Sequence, residues 1–273
     1  MNRIVKKTLE LIVLLVCFLV VFGPMMSLFI WSVAHIWYWP SPLPQEFGFD
    51  YWKQALGITK SMAIGAVSIV PAFFLSLAIA LVTVVAAMLL AVPAGYALAK
   101  YRIPFGGLIM FLFLMPNAFP QQPIFVNLLQ TFTRLNLAGT VPGVILLHIL
   151  VGLVFGVWIT SATFRSIPPS LEEAARSVGA TAPRAFYRIT LPLAAPGLLS
   201  SAVFVFITSL DEFTGTFFIG LPFVSTLPLT LYSSSGYNMQ FASVIALILL
   251  VPSVVFMLLI QRVLKAEYVG GMR

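Results

Sequence analysis

A chain of 273 residues with 60% hydrophobic and 8% charged residues lies far below the roughly 25% charged residues of soluble domains, and its mean hydropathy of +1.05 excludes a water-soluble fold. The net charge of +7 does not indicate nucleic acid, because the Lys and Arg residues flank apolar runs and form no basic face interleaved with aromatics. Apolar stretches well beyond the roughly 20 residues that cross a bilayer favour helices over barrel strands, so the expected class is an all-α, polytopic membrane protein.

The N-terminal run MNRIVKKTLELIVLLVCFLVVFGPMMSLFIW opens on basic residues, but its apolar stretch is too long for a signal peptide and no small-x-small cleavage site closes it. It reads as a retained first span near 11–33. Cys17, the single cysteine, is expected to be a buried packing thiol and excludes an intrachain disulfide. The stretch HIWYWPSPLPQEFGFDYW that follows is rich in aromatics and proline and suits an interfacial loop. Residues 61–72 are expected to be an apolar lead-in helix on the outer surface. Further spans are expected near 73–99, 107–127, 141–163, 194–215 and 240–261, giving six spans in one domain, 1–273, with a loop at 164–193.

Charge orients the spans. With the N-terminus inside, the inner segments hold Arg3, Lys6, Lys7, Lys100, Arg102, Arg165, Arg176, Arg184, Arg188, Arg262, Lys265 and Arg273, and the outer segments only Lys53, Lys60 and Arg134. A seventh crossing within 61–99 would destroy that asymmetry. In the third span, Pro116, Pro120 and Pro123 interrupt LMPNAFPQQPIF. A bent helix is tolerated where its backbone lines a cavity, which makes Asn117, Gln121 and Gln122 candidates for the wall of a membrane path. In the fourth, His148 reads as a satisfied interhelical histidine or as a contact to a solute, and Gly152 and Gly156 as a close-packing face.

The loop after the fourth span concentrates charge that the rest of the chain lacks. Pro168 and Pro169 are expected to open a short helix with Ser170 as N-cap and Glu173 in capping-box spacing, and Gly179 to end it in a left-handed turn. A second short helix from about Pro183 would complete a two-helix knob. Glu173, Ala174, Ala175, three residues, Gly179, nine residues, Ile189, one residue, Leu191 and Pro192 reproduce the pattern EAA-x3-G-x9-I-x-LP. The chain thereby resembles the permease subunit of a type I ATP-binding-cassette importer.

That resemblance implies a coupling loop that docks on a cytoplasmic ATPase. Its residues here are Glu172, Glu173, Ala174, Ala175, Gly179, Ile189, Leu191 and Pro192, with Glu173 as main polar contact, the alanines permitting close approach and Gly179 the turn. Arg176, Arg184 and Arg188 would pair with acidic groups on the partner or with lipid phosphates. The implied partners are a second permease subunit of a different kind, two cytoplasmic ATPase subunits that use ATP and Mg, and an extracytoplasmic solute-binding protein, in a bacterial or archaeal plasma membrane, the inner membrane of a Gram-negative cell. The chain has no G-x-x-x-x-G-K-[ST] loop; no catalytic residue, cofactor or metal is expected in it.

In the fifth span, Asp211 and Glu212 of SLDEFTGTFFIG would lie in the outer third of a continuous helix. They form either an acidic patch on a water-filled path or a hydrogen-bonded pair capping a broken helix. Cargo is divided: TRLNLAGTVPGVILLHIL and FRSIPPSLEEAA look like carbohydrate-type permeases, AARSVGAT and SLDEF like the polyamine and phosphonate branch. The expected cargo is a small polar organic solute, carbohydrate, polyol or polyamine-like. A self-sufficient ion-coupled transporter is the alternative, and its coupling carboxylates could only be Asp211 and Glu212.

Overall fold

The computed structural model describes residues 3–38, 40–59 and 68–270, with side chains over 7–38, 40–59 and 68–262. Lys60, residues 61–67 of the expected lead-in helix and Arg273 lie outside the described residues, as do the side chains of Arg3, Lys6 and Lys265. Two compact units are present, Met1–Phe73 with Thr230–Leu250 and Phe74–Leu229 with Val251–Arg273.

In the first unit, α1 (Arg3–Ser32) is apolar on every side and exposed along most of its length. Cys17 shares that exposure, which corrects the expectation of a buried thiol: a helix without a polar face has no periodicity to select an inward side, and lipid accommodates all of it. Its end is anchored by Trp31 stacked on Trp37, centroids 4.1 Å apart. A small antiparallel pair, β1 (Ala34–Ile36) and β2 (Glu46–Phe47), follows within the aromatic loop, and His35 Nδ1 lies 3.0 Å from Asp50 at the start of α2 (Asp50–Ala55).

The second unit is built on helix packing. One unbroken helix, α3 (Val70–Lys100), leaves no seventh crossing among the described residues. Next come α4 (Gly106–Ala118), α5 (Gln121–Arg134) and α6 (Val141–Arg165). After them lie α7 (Pro169–Ser177), α8 (Ala182–Ala185), a π turn at Phe186–Thr190, α9 (Leu191–Leu210) and α10 (Thr214–Gly220). α11 (Leu227–Ser235) and α12 (Met239–Gly270) end the chain and belong in part to each unit.

α6 is the trunk. A Cβ placed on Gly152 would stand 3.0 Å from Val205 of α9, and one on Gly156 would stand 3.2 Å from Ala91 of α3, so the glycine face serves close packing as its spacing predicts. Thr160 donates to the carbonyls of Gly156 (2.8 Å) and Ala91 (3.0 Å), and Ser201 to Gly156 (3.3 Å). Without a hydrophobic driving force between helices in lipid, contact area and such hydrogen bonds hold the trunk together.

Five helices are long and apolar enough to cross a membrane among the described residues: Lys7–Ser32, Val70–Lys100, Val141–Arg165, Ala182–Leu210 and Met239–Arg262. The expected third span, 107–127, is interrupted as its prolines signal, into two helices, α4 and α5, bent by 101° at their junction, while Pro116 lies inside α4 without ending it. Pro120 supplies no N–H and pushes Phe119 into extended backbone (φ −101, ψ 153), which stops α4. Pro123 then falls in the first turn of α5, where its missing donor costs nothing. The expected fifth span, 194–215, is corrected. It starts earlier, because α8, the π turn and α9 run on as one rod, and it stops at Leu210.

Gly95 faces the trunk so closely that a Cβ there would lie 2.2 Å from Thr160 Oγ1 and 2.8 Å from the Ser161 amide. Gly95→Ala is expected to cost about 1–3 kcal/mol through overpacking and to lower the thermal midpoint of the detergent-solubilised protein. Gly23→Ala, with nothing within 4 Å, should leave that midpoint unchanged.

Candidate functional site

The charged loop forms from its ends inward. Pro169 takes the first position of α7, where a proline needs no donor. Pro168 occupies the capping place with no side-chain hydrogen bond, and Ser170 lies inside the first turn, so the expected Ser170 cap and its capping box with Glu173 are not formed. The other end agrees with its sequence signal. Gly179 has φ +95, its N–H donates to Arg176 O and that of Ala180 to Ala175 O, both at 3.0 Å; this is the paired closure of a Schellman turn.

The second small helix of the expected knob does not stand alone. α8 passes through the π turn into α9, giving the 29-residue rod Ala182–Leu210. Pro192 survives within it because the turn just before is opened to i−5 bonding, Leu191 N–H to Phe186 O, which relieves the carbonyl that a proline ring would strike.

Two adjacent glutamates of α7 face opposite ways. Glu173 is exposed, with Ala174 and Arg176. Glu172 turns inward and accepts from Tyr96 Oη of α3 at 3.0 Å and from Thr190 Oγ1 of the π turn. Lys100 Nζ donates to Ile167 O at 2.7 Å. Beneath lies an apolar platform of Phe164, Ile167 and Ala194, flanked by Tyr96 and Phe186. Ile189 and Leu191 are half-buried in the rod and Pro192 is exposed. Sequence reading did not find Tyr96, Lys100 or Thr190; the available signal was an amine and a phenol at the end of an otherwise apolar span.

The polar residues of the membrane helices gather at the break after α9. His148 is 2% exposed, with Nδ1 2.8 Å from Ser209 Oγ and Nε2 2.9 Å from Thr216 Oγ1. Thr216 donates onward to Glu212 O (3.0 Å), so its oxygen accepts from the ring and the set is satisfied by the Nε2–H tautomer. Glu212 is buried, and its Oε1 accepts the Gly215 N–H at 2.7 Å in the first turn of α10. Asp211 is exposed at the end of α9. Glu212 alone thus holds the first turn of α10, without Asp211, and His148 joins α6 to α9 and α10.

A cavity of ≈ 520 Å³ opens between α4, α5 and α6, lined by residues that include Phe113, Pro116, Asn117, Gln121, Phe125 and Leu147. Gln122 is exposed outside it, and neither His148 nor the Asp211–Glu212 pair lines it.

Several apolar helices long enough to cross a bilayer, with a short charged helix between two of them, define a polytopic membrane protein with a helix exposed beside its spans. The chain belongs to the family of binding-protein-dependent transport system inner membrane components, whose profile matches residues 90–268; it is a permease of an ATP-binding-cassette importer. It is 32% identical to the trehalose transport system permease protein SugB of Mycobacterium tuberculosis, over 72% of this chain and 74% of that one. It is 28% identical to the sulfoquinovosyl glycerol transport system permease protein SmoH of Agrobacterium fabrum, over 73% and 72%. Its fold matches a chain of a bacterial transporter that imports the acidic polysaccharide alginate, with a TM-score of 0.68 at 21% identity over 96% of this chain and 98% of that one. Family membership replaces the self-sufficient ion-coupled transporter.

Removing the ring at position 148 takes the acceptor from the buried Ser209 hydroxyl and one donor from the Thr216 oxygen, which keeps its bond to Glu212 O. His148→Leu is expected to cost about 1–3 kcal/mol, seen as a lower thermal midpoint. Adding Ser209→Ala should cost less than it does alone, because the two sites share one network.

Proposed function

We propose that this chain forms one half of the membrane path of an importer for a carbohydrate or glycoside, and that α7 receives the drive from a cytoplasmic ATPase subunit using ATP and Mg. The observation that carries the reading is the form of α7. Its ends are fixed, it contributes no buried residue, and its outer face presents Glu173 and Ala174 uncovered, as a helix that seats in a partner's groove requires. The loop lies on the cytoplasmic side by the same asymmetry that leaves Lys53, Lys60 and Arg134 as the only outer cations. A second, different permease subunit completes the path, two ATPase subunits drive it, and a solute-binding protein on the far side delivers the cargo, across the plasma membrane of a bacterium or archaeon.

The trehalose and sulfoquinovosyl glycerol systems of the relatives support a glycoside over a polyamine. The cavity between α4, α5 and α6 suits such a cargo: amides of Asn117 and Gln121 offer donors and acceptors to hydroxyls, and apolar walls meet the C–H faces of a sugar ring.

Gly179→Val is the direct test. Nothing stands within 4 Å of a Cβ there, so the substitution leaves the packing of the bundle intact and forces only the left-handed turn, which a β-branched residue resists. The variant is expected to insert in amounts equal to wild type, while co-purification of the ATPase and ATP-dependent uptake of labelled disaccharide both fall at least about tenfold, the equivalent of about 1.4 kcal/mol. Full uptake by this variant, or uptake with the ATPase deleted, contradicts the reading.

A further inference from the structure

α7 has to be stiffly joined to the membrane helices if a push on its outer face is to move them, and little apolar surface does the joining. None of its residues is buried. Leu171 is half exposed, and Val178, just past its end, is 87% exposed. Apart from the Lys100 bond to Ile167 O just ahead of the helix, the join from within α7 rests on one side chain. Glu172 bonds at once to Tyr96 of α3, 76 residues away in sequence, and to Thr190 in the π turn of the rod containing α9. Thr190 is fully buried, and the Tyr96 ring is held edge-on by Phe164 and Phe186, centroids 5.3 and 4.8 Å away. Both donors are therefore fixed before the carboxylate reaches them, and hydrogen bonds to an ionised acceptor are roughly twice as strong as neutral ones.

Resting on the coupling role proposed above for α7, we propose that Glu172 is a positioning residue that clamps α7 to two membrane helices at once. Glu173 serves the outer face, whereas Glu172 passes the displacement on. The position of Thr190 gives the clamp a direction. A π turn is a local widening of the helix, so a pull at its last residue acts on the rod where the rod is most deformable. α3 is held at the same carboxylate, so the ends of the two helices move with α7 together.

The test separates the clamp from the docking. Spin labels on Cys substituted at Arg176 and at Tyr101, both exposed, in a Cys17→Ser background, report the distance between α7 and the end of α3 in nanodiscs holding the chain alone. Glu172→Ala is expected to broaden that distribution, and so is the pair Tyr96→Phe with Thr190→Val. Glu172→Gln, which keeps an acceptor oxygen and gains a donor for the hydroxyls, should restore most of its width. In the assembled transporter, Glu172→Ala is expected to lower disaccharide transported per ATP hydrolysed about tenfold, the ratio being taken over the ATPase that co-purifies. An unchanged distance distribution overturns the clamp. So does an unchanged transport-to-hydrolysis ratio in a variant whose α7 has loosened. Absence of ATPase from the wild-type preparation refutes instead the docking role of α7, and the distance measurement then decides the clamp by itself.

Discussion

An unpaired backbone N–H or C=O in hydrocarbon costs several kcal/mol, and this constraint decides where the helices of the chain are allowed to stop. Four interruptions within the second unit coincide with a local repair. After α9 the carboxylate of Glu212 receives the Gly215 amide, and between α5 and α6 the Gly139 N–H reaches Ile219 O of α10 at 2.7 Å. At α7 the two closing amides find Ala175 and Arg176. At the α4–α5 break the proline itself removes a donor that would otherwise need one. The breaks are therefore built features that place polar groups at chosen depths, and the cavity between α4, α5 and α6 exists because α5 turns away at 101°.

The intact helices obey a second rule, which is that close approach replaces hydrophobic driving force. Glycines at 95, 152, 156 and 197 bring α3, α6 and α9 within touching distance, and the hydroxyls of Thr160 and Ser201 close onto carbonyls of a neighbouring turn. A trunk assembled this way has little slack. Displacement at one end of α3 or of the rod bearing α9 is carried along the contact instead of being absorbed by rearranging side chains.

Hydropathy made the rough place of the spans legible, because burial in lipid is a property of composition summed over some twenty residues. It said nothing about continuity. The helix through 107–127 breaks at Phe119 and the one through 194–215 at Leu210 although both windows remain apolar, since the cause is one proline ring in the first case and a capping carboxylate in the second. The glycine face of α6 was legible from spacing, as was the Gly179 turn, because both depend on local chemistry. His148 was legible as a residue that must be paired, while its partners Ser209 and Thr216, more than sixty positions away, were not. Cys17 was misplaced for the converse reason: an apolar helix in lipid gives its small side chains no reason to hide.

The two glutamates at 172 and 173 show most clearly where local signal ends. Successive helical residues point about 100° apart, so the two carboxyls meet different surroundings, and nothing nearby in sequence says which of them meets the bundle. The choice falls to Tyr96, itself fixed by Phe164 and Phe186. With Glu172 satisfied internally, Glu173 is left facing solvent on a helix whose ends and orientation are already set. A surface prepared in this way loses little conformational freedom on meeting a partner, and in the clamp proposed above the same short helix carries one carboxylate for that surface and one bonded to α3 and to the rod bearing α9.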